Sequence, residues 1–262
     1  MTDRQPAVAG MFYPGSASEL NATVNQFLLD ANEYEYSPKA MIVPHAGYVY
    51  SGPIAASAYA SLKNIRDKIK RVVLLGPSHR VALLGLACSS ADRFITPLGT
   101  ITLDREAIDS VLALPQVRRM DEAHQLEHSL EVQLPFLQTC LNDFKLVPIV
   151  VGDASANEVA EVIEKLWGDD ETLVVISSDL SHYHDYKTAS VMDKRTSDAI
   201  EHLRPQDISY EDACGRNPVN GLLKLAQKLN LQVETVDLRN SGDTAGSKDQ
   251  VVGYGAYLFR SP

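Results

Sequence analysis

Residues 172–186 read "TLVVISSDLSHYHDY". The first half is a continuous apolar run of strand length, with no alternation between apolar and polar residues. Such a pattern belongs to a strand covered on both of its faces. The second half delivers Asp179, His182, His184 and Asp185 at the tip of that strand. A core strand that ends in ionisable groups places chemistry at one edge of a sheet.

The same pattern recurs along the chain. Strand-length apolar runs occur at 39–44 (KAMIVP), 71–77 (RVVLLGP), 84–90 (LGLACSS), 145–151 (KLVPIVV), 172–179, 232–238 (QVETVDL) and 251–259 (VVGYGAYLF). Helical patterns alternate with them. Residues 16–32 open with Ser16 as an N-cap and Glu19 at the capping-box position. The segment 51–64 begins Ser-Gly-Pro and becomes Ala-rich. The segments 156–168, 189–203 and 217–230 complete the helices, with Cys214 just before the last and Trp167 closing the first of these three. No repeat, low-complexity tract or linker interrupts the alternation. The predicted fold is α/β, a single domain over residues 1–262, with a mostly parallel or mixed central sheet flanked by helices.

Composition narrows the function. The chain has 262 residues, 45% of them hydrophobic, and a formal net charge of -10. That balance argues against a phosphate-tracking nucleic-acid surface. No apolar run is long enough to span a bilayer, and the N-terminal residues do not read as a signal peptide. The three cysteines, Cys88, Cys140 and Cys214, are far apart and form no C-x-x-C pair. A reducing, cytoplasmic setting is the expectation.

In open α/β sheets, ligands bind beyond the carboxyl ends of the strands. The residues there are His45 after the first run, His79 after the second, Asp179 and His182 after the fifth, and Asn240, Ser241, Asp243 and Thr244 after the sixth. Two neutral imidazoles and a carboxylate suit a divalent metal with positions left open for substrate. A further imidazole is suited to acid–base work near neutral pH, with Asp179 to orient or tune it. A competing pattern lies in "HQLEHSLEVQLPFL" (124–137). Read as H-x-x-E-H, it matches an inverted zinc-peptidase motif through His124, Glu127 and His128. Read as packing, Leu126, Leu130, Leu134 and Leu137 face inward and the polar edge brings His128 and Glu131 toward the pocket.

The ordered set "RQPAVAGMFYPG", "VPHAGYVYSG", "LLGPSHR", "EHSLEVQLPFL", "VISSDLSHY", "ACGRNPV" and "VVGYGAYLF" resembles the Memo family, the group called AmmeMemoRadiSam system protein B. The resemblance implies a fold like that of class III extradiol ring-cleaving dioxygenases. It makes His45 and His79 metal ligands and gives His182 the acid–base role, with Asp179 beside it. Animal Memo proteins are understood to supply a Cys as third ligand, at the position that is Thr244 here. Asp243 is the expected substitute, restoring a set of two His and one carboxylate. Iron(II) is the expected ion, with copper or zinc the alternatives. Tyr48, His128, Glu131 and Ser241 are expected to meet a small planar substrate or a peptide; Tyr50, Arg4, Phe12 and Tyr13 read first as packing residues, with a place at the pocket as the alternative. The link between animal Memo proteins and phosphotyrosine peptides supports a non-catalytic binding module as the alternative, with Arg80, Arg239 and Lys248 as anion contacts. The group's name implies radical SAM and AMMECR1-like proteins as partners.

Overall fold

The computed structural model describes residues 2–32, 34 and 36–262. Its centre is a nine-stranded mixed sheet. In spatial order the strands are His182–His184, Val251–Arg260, Ala40–Val43, Thr172–Ser177, Arg71–Pro77, Lys145–Val151, Leu86–Cys88 and Val117–Arg119, with Gln232–Asn240 also paired to Val251–Arg260. The inner four, from Ala40–Val43 to Lys145–Val151, run parallel. These are the continuous apolar runs of the sequence, and every residue of Ala40–Val43 and Thr172–Ser177 is buried. Covering both faces of such strands removes their backbone polar groups and apolar side chains from water together. The long last strand closes this block antiparallel to Ala40–Val43.

Helix Tyr48–Tyr59 packs against Ala40–Val43 and the last strand, and helix Ala17–Asp30 packs on it in turn. Helix Arg216–Leu229 packs against Arg71–Pro77 and Thr172–Ser177 and is backed by helix Ala156–Leu166. That last helix shows how local sequence sets an element. Ser155 and Glu158 form a reciprocal capping box, and Val159, Val162, Ile163 and Leu166 make its buried stripe. Helix Tyr186–Glu201 is capped by Asp185, which accepts from the backbone N–H groups of Lys187 and Thr188. Asp185 is therefore a helix cap. Among the described residues no helix is long and apolar enough to cross a membrane.

The stretch 124–137 runs through the short helices Asp121–Gln125, His128–Glu131 and Leu134–Cys140; Leu130, Leu134 and Leu137 are buried as expected, but Leu126, in the bend after the first, is exposed. Leu126 ends the first, and Glu127 caps the second by accepting from Ser129 N–H. The N-terminal segment also forms a strand, Asp3–Arg4, in a separate three-stranded sheet with Arg93–Thr96 and Gly99–Thr102. Its two-residue length leaves no periodicity to read.

The topology places Val43, Pro77, Val151 and Ser177, the carboxyl ends of the four parallel strands, along one edge. His45, His79 and Asp179 come directly after three of these ends.

Candidate metal centre

His45, His79 and His128 each bring one ring nitrogen within 4.8 Å of the others. The His79 and His128 rings stack with centroids 4.5 Å apart, and His45 stands edge-on to both at 5.1 and 5.5 Å. Two of the three ride on strand ends. The third arrives on the one-turn helix His128–Glu131, which lies directly against the strand ending in Pro77. Gly76 permits this approach, since a Cβ there would meet Ser129 Oγ at 2.8 Å and a Leu130 methyl at 2.9 Å.

The hydrogen bonds behind the rings decide which nitrogens are free. Tyr59 Oη donates to Gln133 Oε1, so the Gln133 amide group donates to Pro44 O and Ser177 Oγ. The single Ser177 hydroxyl proton goes to the carbonyl of Ser129, 2.6 Å away. Ser177 Oγ, 3.0 Å from His45 Nδ1, must therefore accept from it. His45 is thus protonated on Nδ1, and its Nε2 presents a bare lone pair. Glu127 does the same for His79: one carboxylate oxygen takes Nδ1 at 2.8 Å and the other takes the His79 backbone N–H at 2.6 Å. Carboxylate–imidazole pairs of this kind fix ring orientation and raise ligand basicity. Burial alone would raise the Glu127 carboxyl, but its bonds from His79 and Ser129 hold it down at about 2.

Electrostatics keep His45 and His128 neutral. Burial, reinforced by the nearby His79, holds His45 well below the usual imidazole value. Burial and the neighbouring His45 and His79 bring His128 down to about 4. His128 Nδ1 is buried without a hydrogen-bond partner, 3.5 Å from Glu127 Oε1. Three converging imidazoles, two of them oriented from behind and one with an orphaned nitrogen, fit a borderline divalent cation.

Asp179 lies beside this group, 4% exposed, accepting the His45 backbone N–H at 2.6 Å. Burial raises its carboxyl above the ordinary value, opposed by that hydrogen bond and by the nearby His182. His182 sits on the short strand paired with Val252, close enough to act electrostatically on both His45 and Asp179. Between His182 and His184, Tyr183 has φ of 60° and a largely exposed ring. A left-handed backbone at an aromatic residue is uncommon and marks a locally constrained segment.

Other expected site residues are placed elsewhere. Asp243 accepts from Tyr186 Oη at 2.6 Å and from the Asn240 backbone N–H at 3.0 Å, and it is no member of the imidazole group. Thr244 Oγ1 donates to Ser241 O. Ser241 Oγ accepts from the Val252 N–H and ties its loop to the last strand. The loop turns back on itself and over Tyr186, so closeness in sequence to a strand end does not become closeness to the histidines. Tyr48 is core: its hydroxyl donates to Val132 O and its ring packs on Tyr13, Phe27 and Phe136. Glu131 is fully buried and spent on the N-terminal segment, accepting from Arg4, the backbone of Ala7 and Val8, and Tyr13 Oη. Phe12 does reach the site, its ring 4.8 Å from that of His128. Arg239 is paired to Asp237, and Lys248 lies over the Tyr186 ring.

The inverted peptidase motif fails on geometry. His124 is buried away from the trio, with Nε2 donating to Ala87 O, and the chain bends between the two helices that carry His124 and His128. Glu127, Ser177 and Gln133 orient the ligands, a role that sequence reasoning assigned to none of them. Only the position of Glu127 next to His128 offered a hint.

A family profile described as Memo-like protein matches residues 4–258. A MEMO1 family protein of Aquifex aeolicus (strain VF5) is 36% identical over 270 residues, covering 99% of this chain and 100% of that protein. A second, from Methanobrevibacter smithii, is 36% identical over 287 residues, covering 98% and 99%. Among solved structures, the uncharacterized protein JW3007 of Escherichia coli K12 overlaps 84% of this chain and 99% of its own, with 12% identity and a TM-score of 0.48. With a whole-length profile match and relatives above a third identical from end to end, the chain belongs to the Memo family.

Proposed function

We propose that the protein holds one divalent metal ion on His45, His79 and His128 and acts as a metal-dependent, dioxygenase-like oxidoreductase on a small planar substrate. The observation that carries this reading is the convergence of three imidazoles at the carboxyl edge of the parallel strands, two with their outer nitrogens already engaged by Ser177 and Glu127. When bound, iron(II) would supply the Lewis-acid and redox chemistry, and the three-ligand set leaves positions for substrate. The residues of the chain do the rest. His182 carries a proton at its ring, with Asp179 as the buried carboxyl beside it. Phe12 closes the His128 side with an apolar face and keeps water from that ring.

Metal content and isothermal titration on the full chain, loaded anaerobically with iron(II) or with zinc, test this. Near-stoichiometric binding is expected in the wild type and in Asp243→Ala, and loss in His45→Ala, His79→Ala and His128→Ala. Binding that survives the histidine substitutions, or that disappears with Asp243→Ala, would overturn the ligand set. Oxygen uptake with catechol-like compounds, sensitive to His182→Ala, tests the chemistry separately.

A further inference from the structure

A cavity of about 380 Å³ lies at the carboxyl ends of strands Arg71–Pro77 and Lys145–Val151, on the sheet edge that carries the histidines. Its size is that of a small-molecule site, and strand ends of this kind are where α/β sheets take ligands. The walls are mainly apolar: Pro77, Val81, Leu83, Leu84, Val151 and Pro218. Two connections tie it to the imidazole trio. Pro77 and Ser78, which line it, lead directly into His79. Cys214 lines it as well, and its Sγ stands 3.3 Å from His45 Nε2. A single side chain thus borders both the cavity and the bare nitrogen of His45.

Most polar atoms around the cavity are already engaged. Ser78 gives its hydroxyl proton to Val81 O, and Gly152 donates its N–H to Gly85 O while its carbonyl accepts from Asn217. The Asn217 side chain, 9% exposed, spends both amide hydrogens, on Gly152 O at 2.8 Å and on Tyr210 Oη at 3.1 Å. Its Oδ1 is then a pure acceptor, and among the described residues nothing donates to it. Tyr210 Oη, having accepted from Asn217, keeps its own proton to give, and the Arg216 guanidinium 3.6 Å from the ring centre holds that ring in place. No basic side chain is among the lining residues, and Asp153 brings a carboxyl group to them. The open hydrogen-bonding capacity is therefore one acceptor beside one donor, in surroundings unsuited to an anion.

We propose that this cavity is the subsite for the non-reacting end of the substrate, and that it selects an uncharged apolar group carrying a hydroxyl. The inference rests on the reading that the trio holds an ion and works on a small planar molecule. The hydroxyl donates to Asn217 Oδ1 and accepts from Tyr210, the apolar walls take the remainder, and the reacting end reaches the trio past Cys214. An analogue without the hydroxyl leaves donor and acceptor unpaired and is rejected for that reason.

Titration of 2-naphthol, naphthalene and 2-naphthoate into the full-length metal-free protein, followed by NMR, tests the selectivity. 2-Naphthol should bind about 10-fold tighter than naphthalene, and 2-naphthoate should not displace it. Tyr210→Phe should weaken 2-naphthol about 3–10-fold and leave naphthalene unchanged. Ala82→Trp, which fills the cavity from its outer loop, should abolish binding of both. Proximity to the trio is read separately: protons of bound 2-naphthol should relax faster in cobalt(II)-loaded than in zinc-loaded protein, and Ala82→Trp should remove the difference. No binding of 2-naphthol, equal binding of naphthalene, or binding that survives Ala82→Trp would overturn the cavity's role. Binding without a cobalt effect would overturn its link to the centre. Protein that takes up neither ion would overturn the trio reading and the substrate role with it; the metal-free titrations, which need no ion, distinguish that failure from failure of the cavity.

Discussion

Glu127 holds the centre together at the scale of single residues. It caps the helix that carries His128, grips both the ring and the backbone of His79, and is 1% exposed. Replacing it with Gln keeps the shape but removes the charge that favours Nδ1–H on His79. Metal affinity should fall about 10–100-fold, as for other outer carboxylates, measured by competitive titration with a chelating dye. His124 makes a different prediction, because it takes no part in the site. Burial, only partly offset by its bond to Ala87 O, lowers it to about 4, whereas an unfolded imidazole titrates near 6.5. The unfolded chain therefore binds the extra proton first as pH falls. This contribution to stability is complete above 6.5 and is lost between 6.5 and about 4. His124→Gln should remove about 3 kcal/mol of the wild type's loss between pH 7 and pH 4, read by chemical denaturation of the metal-free protein at each pH.

Elements explain why these residues meet. The one-turn helix His128–Glu131 has little intrinsic stability. It is held from both ends, by Glu127 at its start and by the buried Arg4–Glu131 ion pair at its finish. Arg4 also donates to the carbonyls of His124 and Glu127, so a two-residue N-terminal strand clamps the whole segment that supplies the third imidazole. Breaking the pair with Arg4→Ala leaves a buried carboxylate uncompensated. It should cost about 3–5 kcal/mol in urea denaturation and weaken metal binding as well. The Gly76 approach is equally local. A methyl group there pushes on Ser129 and Leu130, and Gly76→Ala should lower metal affinity more than a β-propensity change alone would, by moving His128 off its partners.

At the scale of the whole molecule, an ion held on the trio would be linked to the fold. A ligand that binds only the native state, at about 100 times its dissociation constant, adds about 2.7 kcal/mol. For a chain of this size that is a rise in Tm of roughly 5–10 °C. Zinc should produce it in the wild type, a chelator should reverse it, and the His45→Ala, His79→Ala double variant should show none, as followed by differential scanning calorimetry.

Sequence alone determined the sheet and its chemical edge. Continuous apolar runs at 71–77 and 145–151 are strands over those same residues, and His45 and His79 sit at strand ends because chain order puts them within two residues of Val43 and Pro77. The third imidazole of the cluster was decided only by tertiary structure. His128 is distant in sequence from His45 and His79 and reaches them through an ion pair between residues 4 and 131 and through a glycine that lets a helix turn press on a strand. Asp243 illustrates the reverse case, in the expected loop but turned onto Tyr186. Periodicity reports which face of an element is buried, and loop direction depends on hydrogen bonds between segments far apart in the chain, so only the folded structure brings His128 and Cys214 to His45.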